Sequence, residues 1–314
     1  MKRIAKIVGL LSLGVLGLLA AFLIATWAPD QPVSALTARW AGPPSKFLPL
    51  SGMQVHLRDE GQLGDPVPIV LIHGTSSSLH TWDGWVAALK DSRRIIRFDL
   101  PGFALTGPSD DQDYSVEAYV RFVISVLDAL NVKRVVIAGN SLGGFVAWST
   151  AYAHPDRVER LILVDASGYQ PKPTSVPLGF RIARTPILNR LMQNTLPRSV
   201  IESSVRNVYG HPDRVTADLV DRYRDMALRA GNRRALVRRF AQGYTGNRDH
   251  IRAIKQPTLI IWGGQDRLVP PERAQDFAHD IAGSTLAVFD DLGHVPQEED
   301  PGRTVAAVRA FLGT

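Results

Sequence analysis

The chain has 314 residues, 45% hydrophobic and 21% charged, enough to bury a full core as one domain with an insertion. It has no cysteine, which excludes disulfides and thiolate metal sites. The net charge of +6 comes without aromatic interleaving or a nucleic-acid module, no His/carboxylate cluster has zinc spacing, and no glycine loop follows a nucleotide-binding pattern, so no nucleic acid, metal or cofactor is expected.

The N-terminus carries Lys2, Arg3 and Lys6, and no residue from Ile7 to Trp27 is charged. A run of that length suffices to cross the hydrocarbon core of a bilayer. The basic flank would stay cytoplasmic. The expectation is a single N-terminal membrane anchor over residues 1–28, with the folded domain extracytoplasmic, periplasmic in a Gram-negative source. A cleavable signal peptide and a secreted product is the competing reading. Its apolar region is usually shorter, and a cut after Ala28 would put Thr26 at the minus-three position with Pro29 following. Residues 29–50 hold Pro29, Pro32, Pro43, Pro44 and Pro49 and read as a proline-rich linker to a domain over 51–314.

Within that domain, His56 lies in an alternating strand, and Pro68-Ile69-Val70-Leu71-Ile72 reads as a buried strand leading into His73-Gly74-Thr75. Arg94 to Phe98 is a strand and Tyr114 to Leu130 an amphipathic helix. The apolar run Val135 to Ala138 precedes Gly139-Asn140-Ser141-Leu142-Gly143-Gly144 and a helix-compatible run, Phe145 to Ala153. Arg160 to Val164 is another strand, closed by Asp165. The alternation then breaks over about 167–252, where Arg-rich helical stretches run between Pro171, Pro173, Pro177 and Pro212. It resumes with Thr258 to Trp262 before Gly263-Gly264-Gln265-Asp266, Thr285 to Phe289 before Gly293-His294, and a last helix from Pro301 to Leu312. Repeated strand–helix units imply a mostly parallel sheet covered on both faces.

The G-x-S-x-G segment sits between a buried strand and a helix, the setting in which that pattern marks a nucleophile. Ser141 is therefore the candidate nucleophile. Asp266, just past a strand, is the candidate acid, with Asp165 its rival because it too ends a strand. His294 is the candidate general base, since it alone follows the acid on a loop after the last strand. His80, His154, His211, His250 and His279 lie in polar helical or turn contexts, and His73 reads as a brace for its loop. Acyl transfer also needs backbone N–H donors for the oxyanion, and Leu142 and Thr75 are placed to supply them.

These segments, together with Asp99-Leu100-Pro101-Gly102-Phe103 and Gly293-His294-Val295-Pro296, resemble the α/β-hydrolase-fold serine hydrolases over about residues 50–312. The chain departs from the usual glycine-rich continuation after Pro101-Gly102 by carrying Ala104 and Thr106. The resemblance implies an eight-stranded, mostly parallel sheet with a helical cap inserted after the sixth strand. It also implies a Ser141-Asp266-His294 triad that cleaves carboxylic esters of small-molecule or lipid substrates without a cofactor. Dehalogenases and epoxide hydrolases of this fold use an Asp nucleophile. Carbon–carbon bond hydrolases share the Gly-Asn-Ser elbow but usually carry Trp where this chain has Val295, and they remain an alternative beside haloperoxidase-like or perhydrolase-like enzymes. A ligand-binding protein on the same scaffold is the non-enzymatic alternative. In the cap, Phe180, Ile187, Leu188, Leu191, Met192 and Tyr209 are candidate pocket residues. The arginines between 222 and 239 read as a solvated face partnered by Asp221 and Asp225, or else as a basic surface for anionic lipid.

Overall fold

The computed structural model describes residues 2–170, 172–243 and 246–313. Its frame is one eight-stranded sheet: β1 (Lys46–Leu50), β2 (Met53–Gly61), β3 (Ile69–Ile72), β4 (Arg94–Phe98), β5 (Val135–Asn140), β6 (Val158–Val164), β7 (Thr258–Gly263) and β8 (Thr285–Phe289). The spatial order is β1-β2-β4-β3-β5-β6-β7-β8. β2 pairs antiparallel with β1 and β4, and every other pair is parallel. β3, β5 and β7 are buried at every position, which is why they read as unbroken apolar runs rather than alternating ones.

The helices are α1 (Lys2–Ala25), α2 (Val33–Trp40), α3 (Asp83–Leu89), α4 (Val116–Ala129), α5 (Leu142–Ala153), α6 (Leu178–Arg184), α7 (Leu188–Leu191), α8 (Arg198–Val208), α9 (Ala217–Leu228), α10 (Asn232–Ala241), α11 (Arg248–Arg252), α12 (Glu272–Asp280), α13 (Pro296–Glu299) and α14 (Pro301–Leu312). α4 starts where the Ser115 hydroxyl accepts from the Ala118 amide, and it buries Tyr119, Val123, Val126 and Leu127 against one face of the sheet. α14 has Asp300 as its N-cap, Pro301 in its first turn and a left-handed Gly313 at its end. With α3 it covers the other face, where Trp85 Nε1 donates to Thr304 Oγ1 at 2.9 Å. α6 to α11 lie in the insertion between β6 and β7.

Two expectations about the N-terminus change. Among the described residues, no helix is long and apolar enough to cross a membrane, which overturns the anchor, the membrane partner and the extracytoplasmic placement that rested on it.

Residues 29–50, expected to be a linker, are built into the fold. The Ala28 amide donates to Asn194 O (2.9 Å), the Leu196 amide to Thr26 O (3.1 Å), and Gln31 exchanges bonds with Leu228 and Ala230. α2 buries Leu36 against Ala104, Leu105 and Met226. Trp40 Nε1 donates to Asp225 (2.9 Å), and Arg39 pairs with Asp218 and Asp225. Prolines interrupt this segment without freeing it, because cap backbone supplies the partners that a strand or helix would otherwise provide.

Candidate active site

Ser141 lies between β5 and α5 with φ 55° and ψ −116°, a backbone region that costs a non-glycine residue on the order of 1–3 kcal/mol. Its neighbours over-determine that geometry. The Ser141 amide donates to Val164 O at 3.0 Å, and its carbonyl accepts from the Phe145 and Ser167 amides at 3.0 Å. Gly143 is required by space: a Cβ there would run into the carbonyls of Ile72 and His73, so α5 could not seat on the end of β3.

Asp266 follows β7. Its Oδ1 accepts from the amides of Leu268 (2.8 Å) and Val269 (2.9 Å), and its Oδ2 accepts from His294 Nδ1 at 2.6 Å. That bond assigns the proton to Nδ1 and leaves Nε2 as an acceptor. The His294 amide donates to Val208 O of the cap, and its carbonyl accepts from Asn140 Nδ2 at 2.9 Å. Asn140, the residue before Ser141, thus ties that turn to the His294 loop. The loop is further held by Glu299, which accepts from the amides of Gly293, Gly210 and His211. Sequence reasoning missed both residues; Asn140 was visible inside the elbow motif, whereas Glu299 carried no signal. Asp165, the rival acid, accepts from the Gly263 amide at 2.9 Å and makes no bond to His294. Donor atoms of Asp165, Asp266 and His294 lie within 4.8 Å of one another, the one metal-like cluster among the described residues. The Asp266–His294 bond already engages two of the three.

Ser141 and His294 line one cavity with Gly74 and Thr75. A Cβ added to Gly74 would lie 3.1 Å from the Ser141 Cβ, so the loop after β3 abuts Ser141. Among the described residues, the amides of Thr75 and Leu142 have no protein acceptor, and Leu142 opens α5, whose first N–H groups have no partner within the helix. His73 acts as the brace read from the sequence: Nε2 accepts from the Leu100 amide (2.9 Å) and Nδ1 donates to Gly74 O (2.7 Å). Burial holds its pKa below the usual histidine value, so it stays neutral.

A second Ser-His-Asp relay lies behind this loop. Ser45 Oγ is 2.9 Å from His56 Nε2, and His56 Nδ1 is 2.7 Å from Asp99 Oδ2. Ser45 Oγ also accepts from Arg58 Nε, and Asp99 accepts from the Leu79 and Leu105 amides. Burial alone would raise the Asp99 pKa, but the adjacent His56 and its hydrogen bond pull it down to about 2. The relay ties β1, β2 and the loop after β4 together beside the segment that follows β3.

Residues 67–301 match the profile of the alpha/beta hydrolase fold. The chain belongs to that family. It is 28% identical over 272 residues to a 2-hydroxymuconate semialdehyde hydrolase of Pseudomonas sp. strain CF600, covering 83% of this chain and 91% of the relative. It is 30% identical over 278 residues to a 2-hydroxy-6-oxo-2,4-heptadienoate hydrolase of Pseudomonas putida F1, covering 83% and 93%. A meta-cleavage product hydrolase from Pseudomonas fluorescens IP01 superposes with a TM-score of 0.73 at 25% identity, covering 86% of this chain and 97% of that one.

The cavity beside Ser141 and His294 in this alpha/beta hydrolase measures about 1030 Å³, including volume open to solvent. Phe103, Phe180, Met192, Leu196, Ile201, Val205, Val208, Met226 and Leu236 are the larger apolar side chains in its wall. Of the expected pocket residues, Phe180 and Met192 are there. Ile187, Leu188 and Leu191 are exposed, and Tyr209 turns to Glu298, where its hydroxyl donates at 2.8 Å. Arg233 is the one lysine or arginine in the wall among the described residues. Its guanidinium pairs with Asp30 at 2.7 Å and donates to Met192 O. Other cap arginines are also committed: Arg222 pairs with Glu298 (2.7 Å), and Arg229 donates to Thr106 O and Ala230 O. Asp221 and Asp225 pair with Arg198, Arg39 and Trp40 rather than with the cap arginines beside them.

Proposed function

We propose that this hydrolase cleaves carboxylic esters with an uncharged, apolar acyl group, through an acyl-enzyme on Ser141. Ser141 Oγ attacks the ester carbonyl while His294 Nε2 takes its proton. The Thr75 and Leu142 amides stabilise the oxyanion, and Asp266 holds His294 in the required tautomer and stabilises its cation. The protonated His294 then gives that proton to the departing alkoxide, and water attacks the acyl group by the same route.

The observation that carries the acyl preference is the neutrality of the wall. The arginine in it is already answered by Asp30, and among the described residues no Lys, Asp, Glu or second Arg joins it: polar lining side chains such as Thr75, Ser76, Ser204 and Asn232 are uncharged, and most of the others are apolar. A second reading, carbon–carbon bond hydrolysis, is favoured by the names of the relatives. Those names describe enzymes acting on substrates such as a heptadienoate, an anion that calls for a free cation in the pocket.

The test compares kcat/KM for p-nitrophenyl esters of rising chain length with that for 2-hydroxy-6-oxo-2,4-heptadienoate. Ester turnover should exceed dienoate turnover by at least about tenfold, or about 1.4 kcal/mol. Faster dienoate cleavage would sink the ester reading and support the second one. Inertness to both substrates and to a fluorophosphonate probe would favour a binding protein.

A further inference from the structure

Asp165 is a buried acid that the reaction above does not use. It follows β6, has a positive φ of 45°, and is completely buried. One of its oxygens accepts from the Gly263 amide at 2.9 Å; the other is buried with no donor aimed at it. One Asp165 oxygen, one Asp266 oxygen and a His294 ring nitrogen lie within 4.8 Å of one another. Two carboxylates so close in a dry site cannot both keep a charge. The donors decide which one does. Asp266 receives two amides and the His294 N–H, whereas Asp165 receives a single amide. Asp165 is therefore the protonated partner. Burial, and then the Asp266 charge beside it, push its pKa well above the ordinary carboxylate range. Glu299, the other charge acting on Asp165, is fixed by three backbone amides of the histidine loop and the cap.

We propose that Asp165 is a positioning residue: its neutral carboxyl donates a hydrogen bond to Asp266, fixing that carboxylate against His294 and drawing off part of its negative charge. The inference rests on the Ser141-Asp266-His294 reading. The orphaned oxygen of Asp165 is then the hydroxyl oxygen of a carboxylic acid, and a polar atom that lacked a donor becomes one. Asp165 touches neither substrate nor the reacting atoms, so its effect reaches the reaction only through the basicity and orientation of Asp266.

The test is the pH profile of ester kcat/KM for the wild type, Asp165→Ala and Asp165→Asn, each normalised to sites titrated by a fluorophosphonate. Asp165→Ala removes the donor, leaves Asp266 more negative and stabilises the imidazolium. Its acid limb should move to higher pH by about half a unit or more, with kcat/KM down about tenfold, as for an outer partner of a histidine site. Asp165→Asn keeps an N–H donor toward Asp266 and should return the limb to its wild-type position, with most of the lost rate. If Asp165 were ionised, Asp165→Asn would delete a charge and move the limb to lower pH, which overturns the proposal. A limb that stays fixed in Asp165→Ala also overturns it, leaving a purely structural role. Should the alanine variant fail to fold, the direction of the limb in Asp165→Asn still decides. Failure of the triad reading has a different signature, an Asp266→Asn enzyme that remains active.

Discussion

Replacing Asp30 by Ala removes the partner of a buried charge. Arg233 is 2% exposed and Asp30 25% exposed; the pair is 2.7 Å long, and the other oxygen of Asp30 accepts from the Gly231 amide at 3.0 Å. Breaking a fully buried pair from one side costs about 3–5 kcal/mol. Because Asp30 is partly wetted, solvent would replace some of what is lost, and about 2–3 kcal/mol is the expected cost. For a chain of 314 residues, at about 2.1 cal/mol/K of unfolding entropy per residue, that corresponds to a fall of roughly 3–5 °C in Tm. The double variant Asp30→Ala/Arg233→Met, which removes both charges, should recover at least half of that loss, since an apolar side chain suits the cavity wall. Scanning calorimetry on the four corners of this cycle measures the coupling. Specificity should follow the charge: Asp30→Ala leaves an unanswered cation in the pocket and should raise the relative rate for half-esters whose acyl chain ends in a carboxylate. A Tm within about 1 °C of wild type, with equal costs for single and double variants, would refute the view that the N-terminal segment completes the pocket.

Ser141→Ala should lose on the order of 10⁴–10⁶ in ester turnover while its circular dichroism is unchanged. Asp266→Asn should lose about 10⁴, with no comparable loss in Asp165→Asn; steady-state rates on one ester rank the three. Val205→Phe should fill the apolar wall and raise KM for long-chain esters about tenfold while sparing acetate esters, which a chain-length series reads directly. His80 is buried, its Nε2 donating to Trp40 O at 2.9 Å; burial lowers its pKa from 6.5 to about 4 despite the opposing pull of Asp99. The unfolded chain therefore binds a proton that the folded one refuses. Stability should fall by on the order of 2–3 kcal/mol as pH drops from about 6.5 to about 4. Urea titrations at several pH values should show that slope flattened in His80→Gln, and an equal slope in that variant would exclude His80 as its source.

The sequence by itself determined the fold class and singled out the candidate chemistry-bearing positions, because those depend on local rules. A strand buried on both faces must be an apolar run, as in Ile69–Ile72. A strained strand-to-helix turn admits little beyond small residues around Ser141, and order along the chain separated His294 from the other histidines. Tertiary structure alone decided whatever depends on partners distant in sequence. Asp266 and Asp165 both end strands, and only the 2.6 Å bond to His294 distinguishes them. Pro29 to Leu50 looked like a linker because its hydrogen-bond partners, Leu228 and Ala230, lie some two hundred residues away. The basic composition of the cap suggested a surface field, yet Arg222 and Arg233 are neutralised by Glu298 and Asp30 from opposite ends of the chain. The neutrality of the pocket is thus a product of folding, invisible in composition because a charge acts on its neighbours in space and not on its neighbours in sequence.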